Sequence, residues 1–83
     1  MDIVKTVREL IENSITLNGY ILDEVLFEKE GNMNFLRIII DKEPIVEIED
    51  CVKISKIISP ILDEKNPISI NYILDVCSKE KGR

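Results

Sequence analysis

Histidine is missing altogether from the 83 residues, and with it go the commonest general base and the commonest metal ligand. Neither a Ser–His nor a Cys–His nucleophile can be assembled without it. A four-ligand zinc site would have to recruit carboxylates beside the only two cysteines, Cys51 and Cys77. Glycine is scarce too. Gly19, Gly31 and Gly82 lie too far apart for a phosphate-cradling loop or a dinucleotide fingerprint. No apolar run approaches the length of a membrane span, and Met1-Asp2-Ile3-Val4-Lys5 has no stretch suited to export. The expected compartment is therefore the cytoplasm, with both cysteines as free, partly buried thiols that behave as small hydrophobes. No catalytic residue, cofactor or metal is expected.

What the chain does have is aliphatic bulk. Hydrophobic residues make up 45% of it and aromatics only 5%, so the core must be built from Ile, Leu and Val. A chain of this length holds one domain and one core. Its formal net charge is −5. That argues against non-specific nucleic-acid binding, which depends on Lys and Arg displacing counterions from phosphate, and leaves room for a basic protein partner.

Periodicity orders the elements. Ile3, Val4, Val7, Leu10, Ile11 and Ile15 recur at helical spacing, which predicts an amphipathic helix from Asp2, a suitable N-cap, to Leu17, stopped by Asn18-Gly19. Tyr20 to Lys29 and Met33 to Asp41 read as the two strands of a hairpin about Glu30-Gly31-Asn32. In the second strand Leu36, Ile38 and Ile40 share one face, and Phe35, Arg37 and Ile39 the other. Ile21 and Leu22 break the alternation, so the first strand is expected to start irregularly or to be buried on both faces.

After a loop containing Pro44, helical spacing returns at Ile48, Cys51, Val52, Ile54, Ser55, Ile58, Ile61 and Leu62. Pro60 is expected to kink this helix or begin a separate turn. Ile68 to Ser78 reads as a third strand with Tyr72, Leu74 and Val76 on one face, and Lys79 to Arg83 as a polar tail. The order αββαβ predicts an α/β fold of the α+β type: a two-layer domain over residues 1–78, with both helices packed on one face of a three-stranded mixed sheet. Leu36, Ile38, Ile40, Leu74 and Val76 should line that face. The pattern does not say which hairpin strand the third one joins.

Candidate contact residues are few. Lys53 and Lys56, at i and i+3, share a helix face, and Arg37 and Asp41 lie on the second strand. A solvated helix face accounts for the lysines better than a contact site does. Glu47, Glu49 and Asp50 suit the positive end of a helix dipole and lack the spacing of a calcium loop. A KH-like RNA-binding module is the alternative for a small α/β unit, but the GxxG loop by which KH domains grip single strands is absent.

Three stretches taken together resemble one family. Gly19-Tyr20 with Leu22, Val25 and Phe27 is followed by Leu36-Arg37-Ile38-Ile39-Ile40-Asp41. Asp50-Cys51 comes next, with Ser55, Ile58, Leu62 and Asp63 after it. Asn66-Pro67 and then Tyr72, Leu74, Asp75 and Val76 complete the set. The pattern is similar to the N-terminal domain of the ribosome maturation factor RimP family, in order and with its spacing, from Leu10 to Ser78. The resemblance implies a non-enzymatic cytoplasmic factor that assists maturation of the small (30S) ribosomal subunit. It also implies contact with small-subunit ribosomal protein twelve, an SH3-like barrel as second domain, and no sequence-specific nucleic acid. Two departures stand out. Cys77-Ser78-Lys79-Glu80-Lys81-Gly82-Arg83 replaces the family's Ser-Ser-Pro-Gly and Asp-Arg-Pro linker to the barrel, and the expectation is an excised domain or a piece of a longer protein. Glu47 stands where a Thr cap is usual, so the second helix is expected to fray at its start.

Overall fold

The computed structural model describes residues 2–79. Met1 and, of the polar tail, Glu80 to Arg83 lie outside the described residues. The elements are α1 (Ile3–Leu17), β1 (Ile21–Glu30), β2 (Met33–Asp41), α2 (Ile48–Lys65) and β3 (Ile73–Ser78).

Asp2 caps α1, its carboxylate accepting from the Lys5 N–H at 3.2 Å. At the other end Gly19, at φ +88°, turns the chain back on itself. Its N–H donates to the Thr16 carbonyl at 3.0 Å, and the Tyr20 N–H to the Ile15 carbonyl at 3.1 Å. This is a Schellman stop, and it delivers Tyr20 directly into the core. The hairpin loop is the two residues Gly31-Asn32, with Glu30 paired to Met33. Gly31, at φ +61°, supplies the positive angle that a two-residue hairpin turn demands.

The expected irregularity in β1 is a bulge. Leu22 pairs with Ile40 and Glu24 with Ile39, leaving Asp23 as the extra residue. Leu22 and Val25, three apart, thereby both reach the core. The sheet order is β1-β2-β3, so β2 is central, antiparallel to β1 and parallel to β3. Both helices cover one face. Val7, Ile11 and Ile15 from α1 and Ile54, Ile58 and Leu62 from α2 join Leu22, Val25, Leu36, Ile38 and Ile40 in a single cluster, with Leu74 and Val76 packed against it.

Four expectations need correction. The third strand begins at Ile73 rather than Ile68; Ile68 is buried as an irregular plug, and Tyr72 lies just before the strand. Pro60 does not begin a separate turn, since α2 is one helix through to Lys65. Pro60 is exposed, and its missing N–H costs one backbone bond. The start of α2 is tied down: the Glu47 N–H donates to Asp50 Oδ2 at 2.8 Å, the returning half of a capping box made by Asp. Finally, Ile48 and Val52 belong to no core stripe and are 73% and 46% exposed.

Candidate functional site

The face of the sheet away from the helices is built by the odd-numbered residues of β2 and their neighbours. Arg37 sits at its centre, with Leu26 opposite on β1 and Asp75 opposite on β3. Its guanidinium holds three carboxylates at once: Nη1 donates to Glu28 at 2.6 Å and to Glu30 at 2.9 Å, and Nε to Asp75 at 3.2 Å. The Phe35 ring lies 4.7 Å beneath it. These partners raise the guanidinium's pKa further, so its charge is permanent. A planar fork suits this task better than a lysine, because its donors point along fixed directions.

Ile39, next along β2, is fully buried even though no helix covers it. Glu24 and Cys77 flank it, and an ion pair between Asp23 and Lys79, 3.6 Å apart, links the two outer strands across β2. The apolar residues Met33, Phe35 and Ile73 extend the surface toward the hairpin end, Met33 and Ile73 being exposed. The result is an apolar spine bordered by Glu24, Glu28, Glu30 and Asp75. All four bordering groups are acidic, against the single guanidinium of Arg37.

The four residues nominated from sequence do not form one site. Arg37 anchors the open face. Asp41 ends β2 and accepts the following N–H of Lys42 at 2.9 Å. Lys53 lies 5.6 Å from the Tyr20 ring, on the helix side of the molecule. Lys56 is exposed beside the groove between α2 and β3. Sequence reasoning missed Glu28, Glu30 and Asp75 as partners of Arg37. Their alternation along β1, read through the register set by a two-residue loop, carried the signal for the first two.

A second polar cluster joins the sheet to α2. The Tyr20 hydroxyl donates to Asp50 Oδ1 at 2.5 Å, and Lys42 Nζ donates to the same oxygen at 3.0 Å. The Glu47 N–H, the Tyr20 hydroxyl and Lys42 together hold the Asp50 carboxyl down at about 2. The hydrogen bond to Asp50 and then burial push Tyr20 up to about 12. Both groups are thus locked in the protonation states that the bond requires, and neither is poised for proton transfer near neutrality. Neither Cys51 nor Cys77 is in a disulfide, and both are half-buried. Burial first, and then Asp75, pushes the Cys77 thiol up to about 11. Among the described residues no group of three or more potential ligands is arranged to hold a metal ion, and no helix is long and apolar enough to cross a membrane.

A family model described as the RimP N-terminal domain matches residues 10–79. The chain belongs to the RimP N-terminal domain family. The match opens in the middle of α1 and takes in every later element, so the bulge, the hairpin, the Arg37 cluster and the Tyr20–Asp50 bond all fall within the RimP region. It makes this chain a ribosome maturation factor domain, with the ribosome in general as its partner.

Proposed function

We propose that this domain assists maturation of the small (30S) ribosomal subunit in the cytoplasm by binding, without catalysis, and that its open sheet face meets a basic ribosomal protein. The family resemblance names the candidate as small-subunit ribosomal protein twelve. The observation that carries this reading is the outer face itself: an apolar spine bordered by Glu24, Glu28, Glu30 and Asp75 around one guanidinium. Charge complementarity of this kind speeds encounter with a basic partner and disfavours bare phosphate backbone. An SH3-like barrel following this domain in a longer protein would add a second contact, raising avidity by about 10²-fold or more.

The test is co-sedimentation with small subunits purified from cells lacking the factor. The chain should bind, the Glu28→Lys/Glu30→Lys double variant should bind more weakly, and Glu9→Lys on α1 should behave like the native chain. Equal binding by all three would refute the outer face as the contact. Binding to naked ribosomal RNA as tight as to subunits would favour the KH-like alternative.

A further inference from the structure

The helix α2 carries more apolar surface than its sheet can cover. Ile54, Ile58 and Leu62 fill the core, but Ile48 and Val52 stay exposed, as does Ile45 in the preceding loop. Ile48 and Val52 border a groove of about 540 Å³ whose walls are Val46, Ile48, Cys51 and Val52 on one side and Val76 and Cys77 on the other, with Glu47 and Lys56 also in its lining. The second wall is β3, an edge strand. The Lys79 N–H donates to the Ile40 carbonyl at 2.9 Å, with Ser78 opposite Ile40. In a parallel ladder that phase turns the odd-numbered residues of β3 toward β2. The backbone N–H and C=O of Leu74 and Val76 therefore face outward, along the groove.

The two edges of the sheet are treated differently. Along β1 the bulge at Asp23 breaks the ladder, charged residues stud the strand, and Arg8 donates to the Leu22 carbonyl at 2.8 Å. These are the usual devices for keeping another strand off an edge. Along β3 there is one charge, Asp75, in six residues, with no proline and no bulge. We propose that the β3 edge and the apolar groove beside it accept an extended segment of a partner protein as a fourth strand, one that alternates apolar and basic side chains. The alternation follows from the two faces such a strand would present. Its inward side chains meet Ile48, Cys51, Val52 and Val76. Its outward ones continue the open sheet face beside Asp75, and Glu47 in the lining of the groove offers a second carboxylate. A second copy of this chain would bring Asp75 and Glu47 of both molecules to one seam in a protein of net charge −5, which disfavours self-pairing. The inference does not depend on the open face being a ribosomal contact.

The probe is an eight-residue peptide alternating valine and lysine, titrated into ¹⁵N-labelled chain and followed by amide chemical shifts. The Leu74 and Val76 amides should move, and those of β1 should not. Methylating alternate backbone nitrogens of the peptide, or replacing its lysines by glutamate, should weaken binding by about tenfold or more. The same loss should follow from Ile48→Glu or Val52→Glu, both at exposed positions where the unfolding temperature should hold. A methylated peptide binding as well as the parent would overturn strand addition. So would shifts confined to β1, or a dimer sealed through β3 in the absence of peptide.

Discussion

Tyr20 and Asp50 are thirty positions apart in sequence, and the hydroxyl of one donates to the carboxylate of the other at 2.5 Å. The bond joins the end of α1 to the first turn of α2. It also sets a pH window. Asp50, depressed to about 2, contributes stability above the ordinary carboxylate range, and that contribution is lost as pH falls through about 2. Tyr20, raised to about 12, contributes stability below its ordinary value of 10.0, and that contribution is lost as pH rises through about 12. Tyr20→Phe should therefore shrink the alkaline decline in urea-unfolding stability and leave the parts due to Tyr72, which burial and Asp63 raise, and to Cys77, which burial and Asp75 push up to about 11. An unchanged alkaline limb would contradict this.

Arg37→Ala should lower the unfolding temperature at low salt and neutral pH, because Glu28, Glu30 and Asp75 lose their shared counter-ion. Added salt should recover much of the loss by screening the exposed carboxylates. Thermal unfolding of both proteins across a salt series gives the answer, and identical curves at low salt would show the cluster to be energetically idle.

Ile38 is wholly buried between the helices and the centre of β2. Ile38→Ala should cost about 2–4 kcal/mol in denaturant unfolding, from lost transfer energy and the cavity left behind. A loss below about 0.5 kcal/mol would mean that neighbouring side chains collapse into the space.

Pro60→Ala should stabilise the protein by about 1–3 kcal/mol, since alanine restores an N–H to the middle of α2 and the residue is exposed. Chemical denaturation measures it directly. Destabilisation would show that the ring does more than withhold a donor.

Both thiols should be counted by a thiol reagent in the unfolded, non-reduced chain. In the native chain at pH 8, Cys77 should react more slowly than an ordinary thiol, because its pKa is pushed up to about 11 and the thiolate is the nucleophile. Mass mapping of the alkylated peptides separates it from Cys51.

Local signals made most of the fold legible. The spacing of Val7, Ile11 and Ile15 needed no tertiary context, nor did the alternation of Leu36, Ile38 and Ile40 about a Gly-Asn turn. What the sequence hid was decided between elements. Ile68 looks like a strand residue because it is apolar, yet it is buried without a ladder partner. Ile48 and Val52 fit the helical period of α2 as well as Ile54 and Ile58 do, and only the width of the sheet decides which of them it covers. At the candidate site, Arg37 was visible as a lone base, but its three carboxylates come from two other strands and required the register. Lys53 and Lys56 look like a pair by spacing, and the structure sends them to different neighbours, the Tyr20 ring and the groove.

The strand order gives the molecule a built-in sequence of assembly. β1 reaches β2 through a two-residue turn, whereas Phe35 finds its β3 partner Ile73 only across the whole of α2. Closing the short loop is cheap in chain entropy and closing the long one is slow, so the hairpin and α1 form early and α2 with β3 completes the fold late. In a chain synthesised from its N-terminus, the edge of β2 that pairs with β3 must stay open until β3 has left the ribosome, and in that interval the nascent domain is most exposed to misassembly.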